Sequence, residues 1–286
     1  TSSMVCHVAC LLAAFFFFLS NVLKVVVLVR RYQNFPDFEV AELKGLNPAT
    51  LEDIWDFRTN NILLLNAVAV LSIFAWFFFV IPIVELAWYQ SRMGKRKVGL
   101  HGAIAVFAMV GCFSEVLSRL FLLGAHGTTQ WINESFQLDL WLPRSISNNR
   151  SDWIGWKVLE LAFLAVEAFK SWVDAFEWVC LIAVLLLLYY SVGTQSENRR
   201  QLSMPFARFG IVIALLSVVD LTADLLRFED WGLFSVVALL STILNTMIFL
   251  PAWLLVLSIQ LPKLQPAYSP ATDIFGDGSM SSSVVN

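Results

Sequence analysis

Six long apolar runs leave this chain few folds to choose from. They cover roughly residues 4–29, 62–88, 99–123, 172–192, 206–227 and 232–260. At a rise of 1.5 Å per residue, each can cross a hydrocarbon layer of ~30 Å, some with length left for tilt. Core strands and ordinary buried helices are shorter. Hydrocarbon offers backbone N–H and C=O groups no partners, so a spanning run must satisfy them internally, as an α-helix does. Only 14% of the 286 residues are charged, against about 25% in a soluble domain. The reading is an all-α, polytopic membrane protein. Residues 1–261 form a bundle of about six transmembrane helices, and residues 262–286, rich in Ser, Pro, Gly and Asp, form a disordered cytoplasmic tail.

Local signals add detail. Glu160, Glu167, Lys170, Asp174 and Glu177 recur at spacings of three, four and seven, which places them on one stripe of a helix. The fourth span therefore reads as the end of a longer amphipathic helix starting near Trp156. Thr50, with Asp53 three residues on, has the pattern of a helix N-cap leading into the second span. Pro82 and Pro251 each follow a similar apolar motif, "VAVLS" and "VALLS", and predict kinks at matching points of spans two and six. That match, with Ser20–Arg30 and Ser217–Arg227 at equal spacing in spans one and five, is also compatible with an ancient duplication. Cys6, Cys10, Cys112 and Cys180 all fall in apolar runs. They read as small packing residues rather than a disulfide framework, with lipidation of Cys6 or Cys10 as the alternative.

Basic residues in short loops set the expected orientation. Arg92, Lys95, Arg96 and Lys97 lie between spans two and three, and Arg199 and Arg200 precede span five. Both loops, and with them both termini, are assigned to the cytoplasm. Arg30 and Arg31, after span one, run against this assignment. Two N-x-S sequons, at Asn133 and Asn149, fall in the connection between spans three and four, on the expected outer side. As glycosylation candidates they imply a eukaryotic plasma membrane or endomembrane.

Several classes of function are disfavoured. A net charge of −3 offers no basic face for nucleic acid. His7, His101 and His126 are too few, and at depths too different, for a histidine-box or bis-histidine haem centre. No phosphate-binding glycine loop, HExxH or GxSxG pattern occurs. The expectation is a protein without enzymatic activity, cofactor or metal, whose partners are the bilayer and either another membrane protein or further copies of itself.

What remains is a layer of charge inside the spans. Each such residue costs about 2.5–3.5 kcal/mol near a helix centre, so it needs a partner or a purpose. Counting along the helices brings Lys24, Glu115, Arg119, Lys170, Asp174, Glu177, Asp220, Asp224 and Arg227 to similar depth, in the outer third of the bilayer. Glu115 and Arg119 have the i,i+4 spacing at which a carboxylate meets a guanidinium, and they are the expected companions of Asp220. Glu85, Asn66, Asn245 and Thr246 extend a path inward or bond across helices. Two readings follow. One is a charged vestibule for an ion, a polar solute or a lipid headgroup, as in a transporter, channel or lipid translocator. The other is a salt-bridged scaffold or accessory subunit that moves nothing.

One short stretch adds a further pointer. "DLTADLL", residues 220–226, follows an apolar run and precedes a polar turn and another apolar span. Over roughly one helix and a half this resembles the XK-related lipid scramblases, a family with more spans than six. The resemblance implies lipid translocation.

Overall fold

The computed structural model describes residues 2–34, 48–93, 98–136, 150–194, 202–225 and 240–261. Among these residues every regular element is helical, and six helices are long and apolar enough to cross a membrane. They are α1 (Ser2–Asn34), α2 (Pro48–Met93), α3 (Val98–Phe136), α4 (Arg150–Gly193), α5 (Met204–Leu225) and α6 (Leu240–Gln260). The molecule is an integral membrane protein of the multi-pass, α-helical kind.

The helices form a closed ring in chain order. Each packs mainly against the one before it and the one after it, and α6 returns to α1. Antiparallel neighbours of this kind follow from short connections between successive spans. Small residues line the seams. Cys6, Cys10, Ala13 and Ala14 bury one face of α1, while Cys112 on α3 and Cys180 on α4 are also buried. All four cysteines are free thiols. Without a hydrophobic drive between helices in lipid, such residues stabilise the bundle by letting backbones approach closely. Large side chains fill the rest of the interior: Trp76, Phe79 and Phe17 meet edge to face, and Trp253 stacks on Phe206 with ring centroids 4.7 Å apart. Phe15, Phe77, Phe113, Leu215 and Ile259 point outward, where lipid would cover them.

One close seam joins α3 to α4. A Cβ built on Gly111 would sit 2.9 Å from Cβ of Cys180, closer than two such carbons can approach. Gly111→Ala is therefore expected to be net destabilising, by about 1–2 kcal/mol, because overpacking outweighs the ~1 kcal/mol that alanine gains in helix propensity. A lower midpoint of thermal unfolding in detergent, followed through reactivity of the buried thiols, would show it; an unchanged or higher midpoint would contradict this packing.

Four local expectations differ from what is observed. The helix carrying Thr50 begins at Pro48, so Thr50 sits inside the first turn rather than capping it. The irregular backbone in α2 is at Asn61 (φ −119°, ψ 16°), not at Pro82. Asn61 Nδ2 donates to the Phe57 carbonyl oxygen at 2.9 Å, a local bond that competes with the helical ladder. The distortion near Pro251 is not a simple kink but a π-helix, Ile243–Phe249. Proline crowds the carbonyl four residues before it, and the wider turn ending just ahead of Pro251 supplies the room. Finally, α3 continues to Phe136, which puts Asn133 on a helix rather than in a loop. The fourth helix starts at Arg150 and runs for 44 residues, twice the length of its apolar span Trp172–Gly193. Arg227, Asn149, the stretch 232–239, the basic loop residues Lys95, Arg96, Lys97, Arg199 and Arg200, and the tail 262–286 lie outside the described residues.

Candidate functional site

Near the ends where α1, α3 and α5 finish and α2, α4 and α6 begin, the ring encloses a cavity of about 240 Å³. All six helices line it. Lys24 comes from α1, Glu115 and Arg119 from α3, Lys170, Asp174 and Glu177 from α4, and Asp220 and Asp224 from α5; Ser72 and Trp76 of α2 and Thr242 and Thr246 of α6 complete the wall. Among the described residues five carboxylates thus face three cations, an acidic surplus of two. Water occupies about 30 Å³ per molecule in the liquid, so the space holds roughly eight waters, a hydrated ion or a small headgroup. It is below the 300–1,000 Å³ usual for drug-sized ligands.

The charged residues are held by bonds that run around the ring. Between α3 and α4, Ser118 Oγ donates to Asp174 Oδ1 at 2.6 Å. Between α4 and α5, Trp178 Nε1 donates to Asp224 Oδ2 at 2.9 Å. Asp220 on α5 accepts from Thr242 Oγ1 at 2.8 Å and Asn245 Nδ2 at 2.9 Å, both on α6. Asn245 Nδ2 also reaches Ser217 Oγ at 3.0 Å. Asn21 Nδ2 of α1 contacts the Thr246 carbonyl oxygen of α6 at 3.4 Å. Arg30 Nη1 donates to Asn61 Oδ1 at 3.1 Å, joining α1 to α2, and His126 Nδ1 lies 2.9 Å from Asn66 Oδ1, joining α3 to α2. Every adjacent pair of helices is therefore clasped by a side chain at this end of the bundle. The π-helix contributes directly, since it carries both Asn245 and Thr246 in buried positions.

Within the cavity, Arg119 Nε meets Glu115 Oε1 at 2.7 Å, and both groups are buried. Glu115, Asp174 and Glu177 bring one carboxylate oxygen each within 4.8 Å of one another. Among the described residues Glu115 Oε2 is shielded from solvent and meets no N–H or hydroxyl donor, and the Glu177 carboxyl lies within hydrogen-bonding reach of Glu115. Lys24 lies close enough for Glu115, Glu177, Asp174 and Arg119 to act on it electrostatically, yet among the described residues it makes no hydrogen bond or ion pair.

The structure thus gathers eight of the nine charged candidates into one space. It does not join Asp220 to Glu115 or Arg119; the aspartate is held by uncharged donors of α6. Asn245 bonds across helices, and Thr246 lines the cavity wall. Glu85, near the opposite end of α2, is not part of the lining. Reasoning from charge alone missed Ser118, Trp178 and Thr242. Ser118 lies between Glu115 and Arg119 in sequence, and Trp178 is four residues after Asp174, so helical spacing carried a signal for both; Thr242 carried none. The three histidines are dispersed: His7 Nδ1 contacts the Ser258 carbonyl oxygen, His101 Nε2 contacts Ser191 Oγ, and His126 meets Asn66.

No family model, no curated protein and no solved structure matches the chain. The likeness of residues 220–226 to the XK-related lipid scramblases finds no wider counterpart in these comparisons.

Proposed function

We propose that the protein is a transporter, channel or lipid translocator without chemistry of its own, in which the charged cavity is a vestibule for an ion or a small cation-bearing polar group. The observation that carries this reading is the acidic surplus of two, among the described residues, around a space large enough for several waters. A purely structural ion-pair network gains most by closing on itself, because buried charge is costly unless fully paired. A cavity that, among the described residues, leaves Lys24 without a hydrogen bond or ion pair is instead suited to receive something. The positive-inside rule places the vestibule in the outer half of the bilayer, with both termini cytoplasmic. The bond from Arg30 to Asn61 supports that orientation, since it gives an arginine on the outer side a structural reason to be there. At this size, a translocated lipid would place its headgroup in the cavity and leave its chains outside.

The test is flux through reconstituted protein. Glu115→Gln and Asp220→Asn are each expected to reduce passage of cations or of headgroup-labelled lipid at least about tenfold, while gel filtration still shows a folded, monodisperse protein even where the thermal midpoint falls. Glu115→Gln should fold because Arg119 retains Asp174 and Glu177 nearby. The second reading, a scaffold or accessory subunit, draws on the ring of side-chain clasps. It gains if the parent protein passes neither ions nor lipid and copurifies with a stoichiometric membrane partner.

A further inference from the structure

We infer that the main-chain carbonyl of Thr246, left short of a donor by the π-helix of α6 together with Pro251, is a ligand for an alkali cation in the vestibule. This deepens the vestibule reading and rests on it for the route by which the ion reaches that oxygen.

Backbone spacing decides which carbonyl Pro251 deprives of a donor. In an α-helix the N–H of residue 251 would serve the carbonyl four residues back, that of Met247. Proline has no N–H, so that oxygen would be the orphan. In a π-helix the partner lies five residues back, and the orphan becomes Thr246. Residues Ile243–Phe249 are π-helical, and the Leu250 N–H, which an α-helix would give to Thr246, goes instead to the Asn245 carbonyl oxygen. The π-turn thus moves the gap from Met247, which is half-buried, to Thr246, which is buried and lines the cavity. Relief of the crowding at Pro251 requires a wider turn; it does not require that the freed carbonyl fall on a residue of the cavity wall.

The partner that Thr246 does have is weak. Asn21 Nδ2 of α1 lies 3.4 Å from its carbonyl oxygen, beyond the usual N–H···O range, and gives its shorter bond, 2.7 Å, to the Phe17 carbonyl. The Thr246 hydroxyl donates to the Thr242 carbonyl at 2.6 Å and so is engaged elsewhere. One residue earlier, Asn245 Oδ1 is buried and meets no donor among the described residues. The orientation of that amide follows from its other end, where Nδ2 serves Asp220 and Ser217. Two consecutive residues therefore hold a buried oxygen short of a donor, a costly state that a cation relieves and an anion does not.

The surrounding charge has the same preference. Asp220 stands against the π-helix, accepting from Thr242 Oγ1 and Asn245 Nδ2, and the cavity wall carries its acidic surplus among the described residues. Main-chain carbonyls replace the hydration shell of ions in channel filters, and carbonyls of broken helices hold sodium in transporters. A carbonyl supplies a dipole rather than another full charge, which suits a monovalent ion that must also leave again.

Pro251→Ala tests the carbonyl without touching a charged residue. Whichever way the helix settles, Thr246 gains a donor: the N–H of residue 251 if the π-helix persists, that of Leu250 if it relaxes to an α-helix. The full chain in nanodiscs is expected to gain about 5 °C in thermal midpoint in sodium or potassium chloride at a hundredfold excess over Kd, relative to choline chloride of equal ionic strength. Pro251→Ala should raise the salt concentration for half-effect at least about tenfold, while its midpoint in choline chloride stays at or above the parent's because a hydrogen bond is gained. In protein isotopically labelled at threonine carbonyls, the same salt should shift one labelled amide I component in the infrared. Thr246→Val takes away the label but not the carbonyl, so it should remove that component and keep the midpoint response. No alkali response in the parent overturns the inference, as does one that Pro251→Ala leaves unchanged or that Thr246→Val abolishes. Should Pro251→Ala fail to fold, the labelled band decides alone, and its absence overturns the inference. An alkali response that Pro251→Ala weakens, in a protein that passes no ion, leaves this site standing and removes the transport reading; cation flux without an alkali response does the reverse.

Discussion

Arg119→Met is expected to destabilise the protein by about 3–5 kcal/mol, and Glu115→Gln in the same chain to restore most of that loss. The size follows from what is left behind. With the guanidinium gone, Glu115, Asp174 and Glu177 crowd one buried space, and Lys24 and Lys170 are the described cations left in its lining. Methionine keeps the volume of the arginine stem, so the loss reports charge rather than packing. The reverse change is milder: Glu115→Gln alone leaves Arg119 with two other carboxylates in range. The pair therefore gives a double-mutant cycle with a large coupling energy, read from midpoints of thermal or denaturant unfolding in mild detergent. If Arg119→Met unfolds with the parent's midpoint, the buried triad is not charged as described and the electrostatic account of the cavity fails.

Asn245→Leu should cost about 2–3 kcal/mol, the second large effect. The asparagine is fully buried in the π-helix and donates to both Asp220 Oδ2 and Ser217 Oγ. A hydrogen bond to an ionised group contributes about 1.5–3 kcal/mol, and the bond to Ser217 adds a smaller amount. Leucine is similar in size and removes the unbonded Oδ1 of Asn245 as well, which keeps the expected loss below the sum of the two bonds. Asp220→Asn removes the charge that the asparagine serves, so it should make the cost of Asn245→Leu smaller, with a coupling above the ~0.6 kcal/mol average for hydrogen bonds between membrane helices. Strict additivity of the two changes would mean that Asn245 does not hold Asp220.

Much of the fold was legible in the chain because the bilayer removes alternatives. Runs such as 62–88 and 206–227 can only be spanning helices, and charges within them stand out because they are costly. The extended start of α4 was likewise readable from the stripe that includes Lys170, Asp174 and Glu177. Backbone irregularity was less legible. Pro82 sits in α2 without a break, while Asn61, an unremarkable polar residue in the sequence, carries the distortion. A side chain that can bond to its own helix four residues back competes with the ladder only where neighbours allow it, and here Arg30 of α1 holds the other end of that amide.

The candidate site divides in the same way. Depth along each helix is a matter of counting at 1.5 Å per residue, so the sequence alone determined that Lys24, Glu115, Arg119, Lys170, Asp174, Glu177, Asp220 and Asp224 share one layer. Rotation about each helix axis and the order of helices around the ring are set by packing, and only the tertiary structure decided them. That is why Asp220 turned from the expected Glu115 and Arg119 toward Thr242 and Asn245, and why a serine and a tryptophan hold the other two aspartates. Depth is a property of one helix and can be read from it; partnership belongs to two, and it is fixed by small residues such as Gly111 and Cys180 that let one backbone settle against the next.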